Sequence, residues 1–204
     1  MEKWNKLASR ERIENTMKRL EENGVKAYFV ENRKEAKEKV FEIIPKNSEV
    51  MTMTSVTLDA LEILNEVNES GRYVSVRKKL NSMNRENQGR EMQQLGAAPE
   101  WAIGSVHAVT EDGKIMIASN TGSQLPAYAY GAENVIFVVG AQKIVKDIDE
   151  GMKRIYEHSL ILESERARKA YGVEGSSVNK ILLINREFKK DRIHLILVNE
   201  VLGY

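Results

Sequence analysis

The stretch SNTGSQLPAYAYG, residues 119–131, combines groups that favour binding of a negatively charged ligand. It follows the strand-like run KIMIAS and leads into a short predicted helix that begins near Gln124. Gly122 permits a sharp turn, and Thr121 and Ser123 place hydroxyls beside the unpaired N–H groups of a helix start. Those donors and the helix dipole attract anions. The spacing is neither GxGxxG nor a Walker loop, so a simple helix cap is the alternative.

A second passage from strand to helix occurs in MTSVTLD, residues 53–59. Ser55 is placed as an N-cap, and Asp59 would favour the first helical turn electrostatically. The cap interpretation is preferred, and the functional alternative is a second polar wall facing the same crevice. The two junctions together predict the following ligand-binding residues: Ser55, Thr57, Ser119, Asn120, Thr121, Gly122, Ser123 and Gln124.

Glu111, beside the Asp112-Gly113 dipeptide in VTEDGK, is the candidate catalytic residue. A carboxylate at the end of a strand is suited to act as a nucleophile or general base, although an exposed hairpin carboxylate is the simpler interpretation. His107 lies four residues earlier, which is about 13 Å in a strand, too far for both side chains to reach one ion. The three histidines match no zinc motif, so no metal site is predicted and no cofactor is identified.

The composition narrows the classes of partner. The 31 basic and 30 acidic residues leave a net charge of +1, which gives no reason to expect nucleic acid or a membrane surface as partner. The absence of cysteine excludes disulfides, thiolate nucleophiles and cysteine-held iron–sulfur clusters within this chain. The charged N-terminus lacks a signal-peptide core, and no apolar run is long enough to span a membrane. A cytoplasmic protein is therefore expected.

The elements that must position these residues alternate between helix and strand. Strands are predicted at residues 25–30, 48–54 and 134–140, with a hairpin around Asp112-Gly113. The polar stretch 77–98 predicts one or two solvated helices hinged at Gly89, and two neighbouring strands are predicted near the C-terminus. This order predicts one α/β domain, residues 1–204, with a mostly parallel sheet flanked by helices and a central β-hairpin.

The order and spacing of several segments resemble the lactate-utilisation, or LUD, domain family in its short, stand-alone members. The likeness is strongest over residues 104–155, and TSVTL and the ending VNKILLINREF...RIHLILVNEVLG support it. The resemblance implies a NagB/RpiA/CoA-transferase-like fold. It also implies a crevice between TSVTL and SNTGSQ, because relatives in that superfamily bind sugar phosphates, CoA thioesters or folates.

The resemblance also bears on partners. TEDG resembles the glutamate–x–glycine turn that carries the nucleophile of CoA transferases, which favours Glu111. Other LUD proteins oxidise lactate alongside iron–sulfur proteins, so any redox role here would need a partner chain. The sequence predicts a protein that binds a small anionic metabolite in lactate or organic-acid metabolism. The alternative is a non-catalytic accessory or regulatory subunit of an iron–sulfur lactate-oxidising complex, and self-assembly into a homo-oligomer is a further expectation.

Overall fold

Ten strands and eight α-helices make up the fold in a computed structural model that describes residues 2–204. The strands are β1 Lys26–Val30, β2 Glu49–Thr52, β3 Val74–Ser75, β4 Trp101–Gly104, β5 Ala108–Thr110, β6 Ile115–Ser119, β7 Asn134–Gly140, β8 Ile144–Val145, β9 Lys180–Ile184 and β10 Ile193–Val198. The helices are α1 Arg10–Glu22, α2 Arg33–Ile43, α3 Val56–Ala60, α4 Ile63–Glu69, α5 Val76–Ser82, α6 Arg85–Ala97, α7 Ile148–Arg154 and α8 Leu160–Tyr171. A π-helical turn, Ile155–Ser159, joins α7 to α8.

Six strands form a wholly parallel sheet in the order β1-β10-β7-β4-β2-β3. Its central strands β7 and β10 are apolar and almost entirely buried, as expected of parallel strands covered on both faces. Because all six strands point the same way, the loops that follow them meet at one edge. In open α/β sheets this carboxyl edge is where ligands usually bind.

The central hairpin belongs to a second sheet of four strands, in the order β8-β5-β6-β9. β5 and β6 pair antiparallel, and Gly113 in their turn has a φ of 82°. The predicted α/β class with a mostly parallel sheet and a central hairpin is confirmed. One detail differs: β9 pairs with β6 whereas β10 lies between β1 and β7, so the two C-terminal strands are not neighbours.

Apolar side chains fill three layers. Helices α2, α3 and α4 pack on one face of the six-stranded sheet. Helices α1 and α5 share the core on the other face with strands of the smaller sheet. The opposite face of the smaller sheet packs against Ile155 of the π-helical turn. The polar stretch 77–98 forms α5 and α6, and α6 has no buried residue and departs from helical geometry at Gln88, next to the predicted hinge.

Candidate functional site

Three loops at the carboxyl edge of the parallel sheet converge on one lysine. Lys143 follows β7, and its Nζ donates to Thr57 Oγ1 (3.2 Å), Ser105 Oγ (3.1 Å) and the Val106 carbonyl (3.1 Å). Thr57 lies in α3, after β2, while Ser105 and Val106 follow β4. Lys143 thus connects the loops after three adjacent strands, β7, β4 and β2.

The surroundings of Lys143 are unusual for a lysine. Its side chain is only 1% exposed. None of the ion pairs within residues 2–204 includes it, so all three of its hydrogen-bond acceptors are neutral oxygens. Burial, and then the charge of Arg154, hold the pKa of Lys143 well below its usual value. A lysine in this state can attract an anion, and it also gives up its proton more readily than an exposed one.

Ser55 and Thr57, which were predicted to line one side of a ligand crevice, have mainly a structural role at the start of α3. Ser55 accepts a hydrogen bond from the Leu58 N–H (3.4 Å), which is the cap interaction predicted from sequence. Buried Thr57 donates to the Leu202 carbonyl (3.3 Å) while it accepts from Lys143. Gly203 lies so close that an added Cβ would be 2.4 Å from Thr57 Oγ1. Residues near the C-terminus therefore cover this helix start, and Thr57 orients Lys143.

The turn after β6 is held by its own side chains. Ser119 Oγ accepts from the Gly122 N–H (2.8 Å) and donates to Gln124 Oε1 (2.9 Å). Gly122 has a φ of 84°, a backbone conformation that favours glycine. Local hydrogen bonds thus use part of the donor set that was expected to face a ligand.

The exposed part of the same turn stays open to solvent. Thr121 Oγ1 and Ser123 Oγ lie 3.1 Å apart, and the Lys180 ammonium donates to the Thr121 carbonyl (3.1 Å). Asn120 accepts from the Asn179 amide (2.9 Å). Two hydroxyls and an ammonium therefore lie together here, and they form an outer polar surface with a positive charge.

His107 connects this turn to Lys143. The Ala118 N–H donates a hydrogen bond to His107 Nδ1 (3.1 Å). The carbonyl of Val106, the residue before His107, accepts a hydrogen bond from the Lys143 ammonium. The end of β6, which belongs to the smaller sheet and leads into the turn at 119–124, is thereby linked through one chain of contacts to the start of α3. Burial, followed by the charges of Lys143 and Arg154, lowers the pKa of His107 to about 3. The neutral ring accepts at Nδ1, so its proton is on Nε2.

Arg77 and Tyr128 complete the edge over β2 and β4. The Arg77 guanidinium donates to the Thr52 carbonyl from Nε (3.1 Å) and Nη2 (2.7 Å), at the end of β2. The Tyr128 ring covers the end of β4 so closely that a Cβ on Gly104 would lie 1.7 Å from the Tyr128 hydroxyl. Only glycine fits at position 104, and burial raises the pKa of Tyr128.

Glu111 lies elsewhere on the hairpin. Its carboxylate pairs with the Arg12 guanidinium of α1 at 2.7 Å, and both side chains are 42% exposed. Four residues of extended chain separate it from His107, a span of about 13 Å. The structure therefore does not bring Glu111 into contact with the groups around Lys143, and its catalytic role stays a prediction.

Lys143, Ser105 and His107 are the residues that sequence reasoning did not assign to the site. Lys143 lies in GAQKIV, immediately after the buried strand β7. The carboxyl-edge rule, applied to every predicted strand and not only to those followed by serine and threonine, would have selected it. The burial of its ammonium had no signal in the sequence.

The fold and this edge define an α/β protein with a mostly parallel sheet whose polar and basic groups gather where the strands end. The family model of the LUD domain matches residues 13–198. The chain therefore belongs to the LUD domain family, as its sequence predicted, and this membership associates it with lactate utilisation.

One solved structure shares the fold of this chain. A DUF162 family protein from Deinococcus radiodurans has a TM-score of 0.59 and 12% identity, and the match covers 95% of this chain and 100% of that one. The likeness to eIF2B beta from Chaetomium thermophilum is weaker, with a TM-score of 0.39 and 16% identity over 60% of this chain and 42% of that one. A search of curated proteins found no significant relative.

Two structural absences hold for the described part of the chain. Within residues 2–204, no helix combines the length and the apolar character that crossing a membrane requires. In the same residues, no group of three or more histidine, aspartate or glutamate side chains is arranged to hold a metal ion.

Proposed function

We propose that this LUD-domain protein binds a small anionic metabolite, such as an organic acid, a sugar phosphate or a CoA ester, at the carboxyl edge around Lys143, in lactate or organic-acid metabolism. The observation that carries the proposal is a buried ammonium whose partners are all neutral oxygens. Burial without a counter-charge disfavours the protonated form of Lys143, which is why its pKa is lowered, and a bound anion would favour the charged form again. Partly exposed Ser105 and His107 lie beside Lys143 and give the ligand an approach.

The groups near Lys143 have different roles in this proposal. Lys143 supplies the charge, with Ser105 Oγ as a further donor to the ligand. Ser55 and Thr57 hold α3 and the lysine in place. The outer turn at 119–124, with the Lys180 ammonium, would contact a second polar or anionic group of a longer ligand such as a CoA ester.

Calorimetry with a panel of organic acids, sugar phosphates and CoA esters tests this proposal. We expect at least one class to bind, and Lys143→Met to weaken its binding about tenfold or more, since a charge-assisted contact is lost. The exposed lysine variant Lys46→Met is the control and should bind as the wild type does. If no compound binds, or if Lys143→Met binds equally well, the proposed site is wrong.

Glu111→Gln examines the predicted catalytic role separately. The amide keeps the shape of the carboxylate but cannot act as a nucleophile or base. If Glu111 reacts with substrate, turnover is lost while the affinity measured by calorimetry and the melting temperature stay close to those of the wild type. Unchanged turnover would assign Glu111 to the ion pair with Arg12 alone.

The second candidate function is that of an accessory subunit that assembles with iron–sulfur proteins. It is favoured by a surface groove of about 840 Å³ that is lined by Tyr130 and Phe188, among others. Tyr130 is 89% exposed and Phe188 is fully exposed, which is costly for a surface without a partner. Aromatic side chains of this kind are typical anchors of protein interfaces.

Co-purification of the tagged protein with iron–sulfur subunits in its native host tests the second candidate. The double variant Tyr130→Ser, Phe188→Ser should keep its fold and lose the partner. A complex that forms equally with this variant would exclude the groove as the interface. Retention of metabolite binding by the same variant would show that the two candidate functions use different surfaces.

A further inference from the structure

The surface groove of about 840 Å³ lies at the amino edge of the parallel sheet, opposite to the carboxyl edge that carries Lys143. Its lining includes Glu100, which precedes β4, Glu133, which precedes β7, and Arg192, which precedes β10. These three strands are neighbours at the centre of the sheet, in the order β10-β7-β4. The groove is therefore a surface of its own, distinct from the proposed metabolite site.

Two aromatic side chains project from the surface that surrounds this groove. Tyr130 lies in a π-helical turn, Ala127–Gly131, and is 89% exposed. Phe188 lies in the loop between β9 and β10 and is fully exposed. A projecting ring beside a groove on the same face is a shape that can fit a second copy of itself, because each copy inserts its rings into the groove of the other.

A buried arginine fixes the two aromatic segments to each other. Arg192 is 5% exposed, and its Nη2 donates to the carbonyls of Ala127 and Tyr128 (both 3.0 Å) in the turn that carries Tyr130. Its Nη1 pairs with the carboxylate of Glu187 (2.6 Å), the residue before the exposed phenylalanine. The two segments are thus held in place before any partner arrives, which lowers the entropic cost of association.

The remaining charged residues of the groove are divided by sign between its two sides. Arg186 and Lys189 precede β10, and Arg186 donates to the Glu22 carbonyl (3.1 Å) at the end of α1, on the side of β1. Glu133 and Glu100 lie on the side of β7 and β4. All four lining side chains are exposed, and the Lys189 ammonium and the Glu133 carboxylate are 3.9 Å apart. One side of the groove is therefore basic and the other acidic.

This division of charge favours a second copy of the chain over a partner of one charge sign. A two-fold axis through the groove places the acidic side of each copy against the basic side of the other. Two acidic and two basic groups balance, so the copies do not repel each other. A uniformly acidic or basic partner would be attracted by one side and repelled by the other.

We propose that the groove is the interface of a two-fold symmetric homodimer, in which Tyr130 and Phe188 of each copy enter the groove of the other. The side of each copy that carries Glu133 then faces the side of the other that carries Lys189. The groove has fewer lining residues than the roughly 20–30 per partner of a standard interface, so a dissociation constant in the micromolar range is expected. The dimer does not depend on metabolite binding, and it competes with the accessory-subunit candidate for the same groove.

Sedimentation velocity of the purified protein tests the proposal from about 1 to about 300 µM. We expect the mean mass to rise with concentration from 23.2 kDa toward twice that value. Phe188→Ser should weaken the association about tenfold or more, since an aromatic anchor is lost. Lys169→Glu, on an exposed position of α8, is the control and should associate as the wild type does. A wild type that stays monomeric throughout overturns the proposal and leaves the groove to a foreign subunit.

A charge exchange tests the geometry of the interface itself. Glu133→Lys makes both sides of the groove basic, and Lys189→Glu makes both sides acidic, so each variant alone should self-associate about tenfold more weakly or worse. An equimolar mixture of the two should associate again, because every basic side then faces an acidic one. Both substitutions are at exposed positions, and circular dichroism confirms that the fold is kept. If the single variants dimerise like the wild type, or if mixing restores nothing, the two copies do not meet through this groove and the proposal is wrong.

Discussion

Lys143, Arg154 and Arg192 are buried cations in three different surroundings. Arg192 is paired with a carboxylate, Lys143 donates only to neutral oxygens, and Arg154 retains an unpartnered edge. Burial of a charge is therefore not informative by itself, because its consequence depends on what compensates it. In this chain the uncompensated pair lies next to the carboxyl edge, where a ligand is expected.

The histidines show the same dependence on surroundings. The sequence suggested structural or surface roles for all three, and His107 indeed accepts a backbone hydrogen bond from Ala118. Burial beside two cations nevertheless keeps the ring neutral over most of the pH range, with a pKa of about 3 for His107 and about 4 for His158. Both rings are therefore neutral at physiological pH.

The lowered pKa of His107 predicts that the free energy of unfolding depends on pH. Its folded pKa, about 3, is below the usual 6.5, so between these values the unfolded chain binds a proton that the folded protein does not. Stability from this group is therefore complete above about pH 6.5 and is lost as the pH falls toward 3. Lys143, Arg154 and Glu163 face the ring.

Urea unfolding of the wild type and of His107→Gln at pH 7.5, 6.5 and 5 measures this effect. From pH 6.5 to pH 5 the wild type should lose about 1 kcal/mol more unfolding free energy than the variant, after allowance for partial exposure of the ring. Between pH 7.5 and pH 6.5 the difference should change much less. A difference that is constant at all three values would mean that His107 keeps an ordinary pKa.

At the scale of elements, short-range rules predicted the turns and caps. Ser55 caps α3 and Asp112-Gly113 turns the hairpin, and both depend on neighbours in sequence. The break in the polar segment falls at Gln88, one residue before the predicted hinge at Gly89. β9 and β10 were placed wrongly as neighbours, because strand pairing depends on contacts that local pattern does not describe.

Gly113, in the hairpin turn, allows a prediction of how closely the hairpin must pack against α1. Gly113 has a φ of 82°, and an added Cβ would lie 2.7 Å from the Arg19 carbonyl carbon of α1. Gly71 has a φ of 74°, with nothing within 4 Å of an added Cβ, and so serves as a matched control. We expect Gly71→Ala to cost about 1 kcal/mol from backbone strain alone. Gly113→Ala should cost about 2–4 kcal/mol, because α1 and the hairpin must also separate.

Urea unfolding at neutral pH compares the two alanine variants directly. Equal losses in unfolding free energy would show that the hairpin and α1 adjust to each other easily. In that case the close packing of the turn against α1 does not determine stability.

At the scale of the whole molecule, central strands and edge strands differ in burial. The six residues of β10 are all buried between β1 and β7, whereas β9 is an edge strand that is only partly buried. The parallel sheet therefore has its most deeply buried strands, β7 and β10, at its centre. It forms the rigid base from which the loops of the candidate site extend.

Hydrogen exchange measured by mass spectrometry should reflect this difference. Amides of β7 and β10 should exchange most slowly, near the rate set by global unfolding, since opening them disrupts the central core. Amides of β9 should exchange faster, through local opening of an edge. Protection of β9 equal to that of β10 would contradict this picture and would indicate that the two sheets unfold as one unit.

The amino-acid sequence by itself determined the fold class, the family, the hairpin turn and the caps, because hydrophobic periodicity, glycine and capping residues act over a few neighbours. It also located one loop that reaches the carboxyl edge, through Thr57. Only the tertiary structure brought Lys143 to Thr57, 86 residues away, and to Ser105, 38 residues away. Burial and the absence of a counter-charge are properties of that assembly, and they decide which lysine or arginine in a chain rich in both is suited to bind an anion.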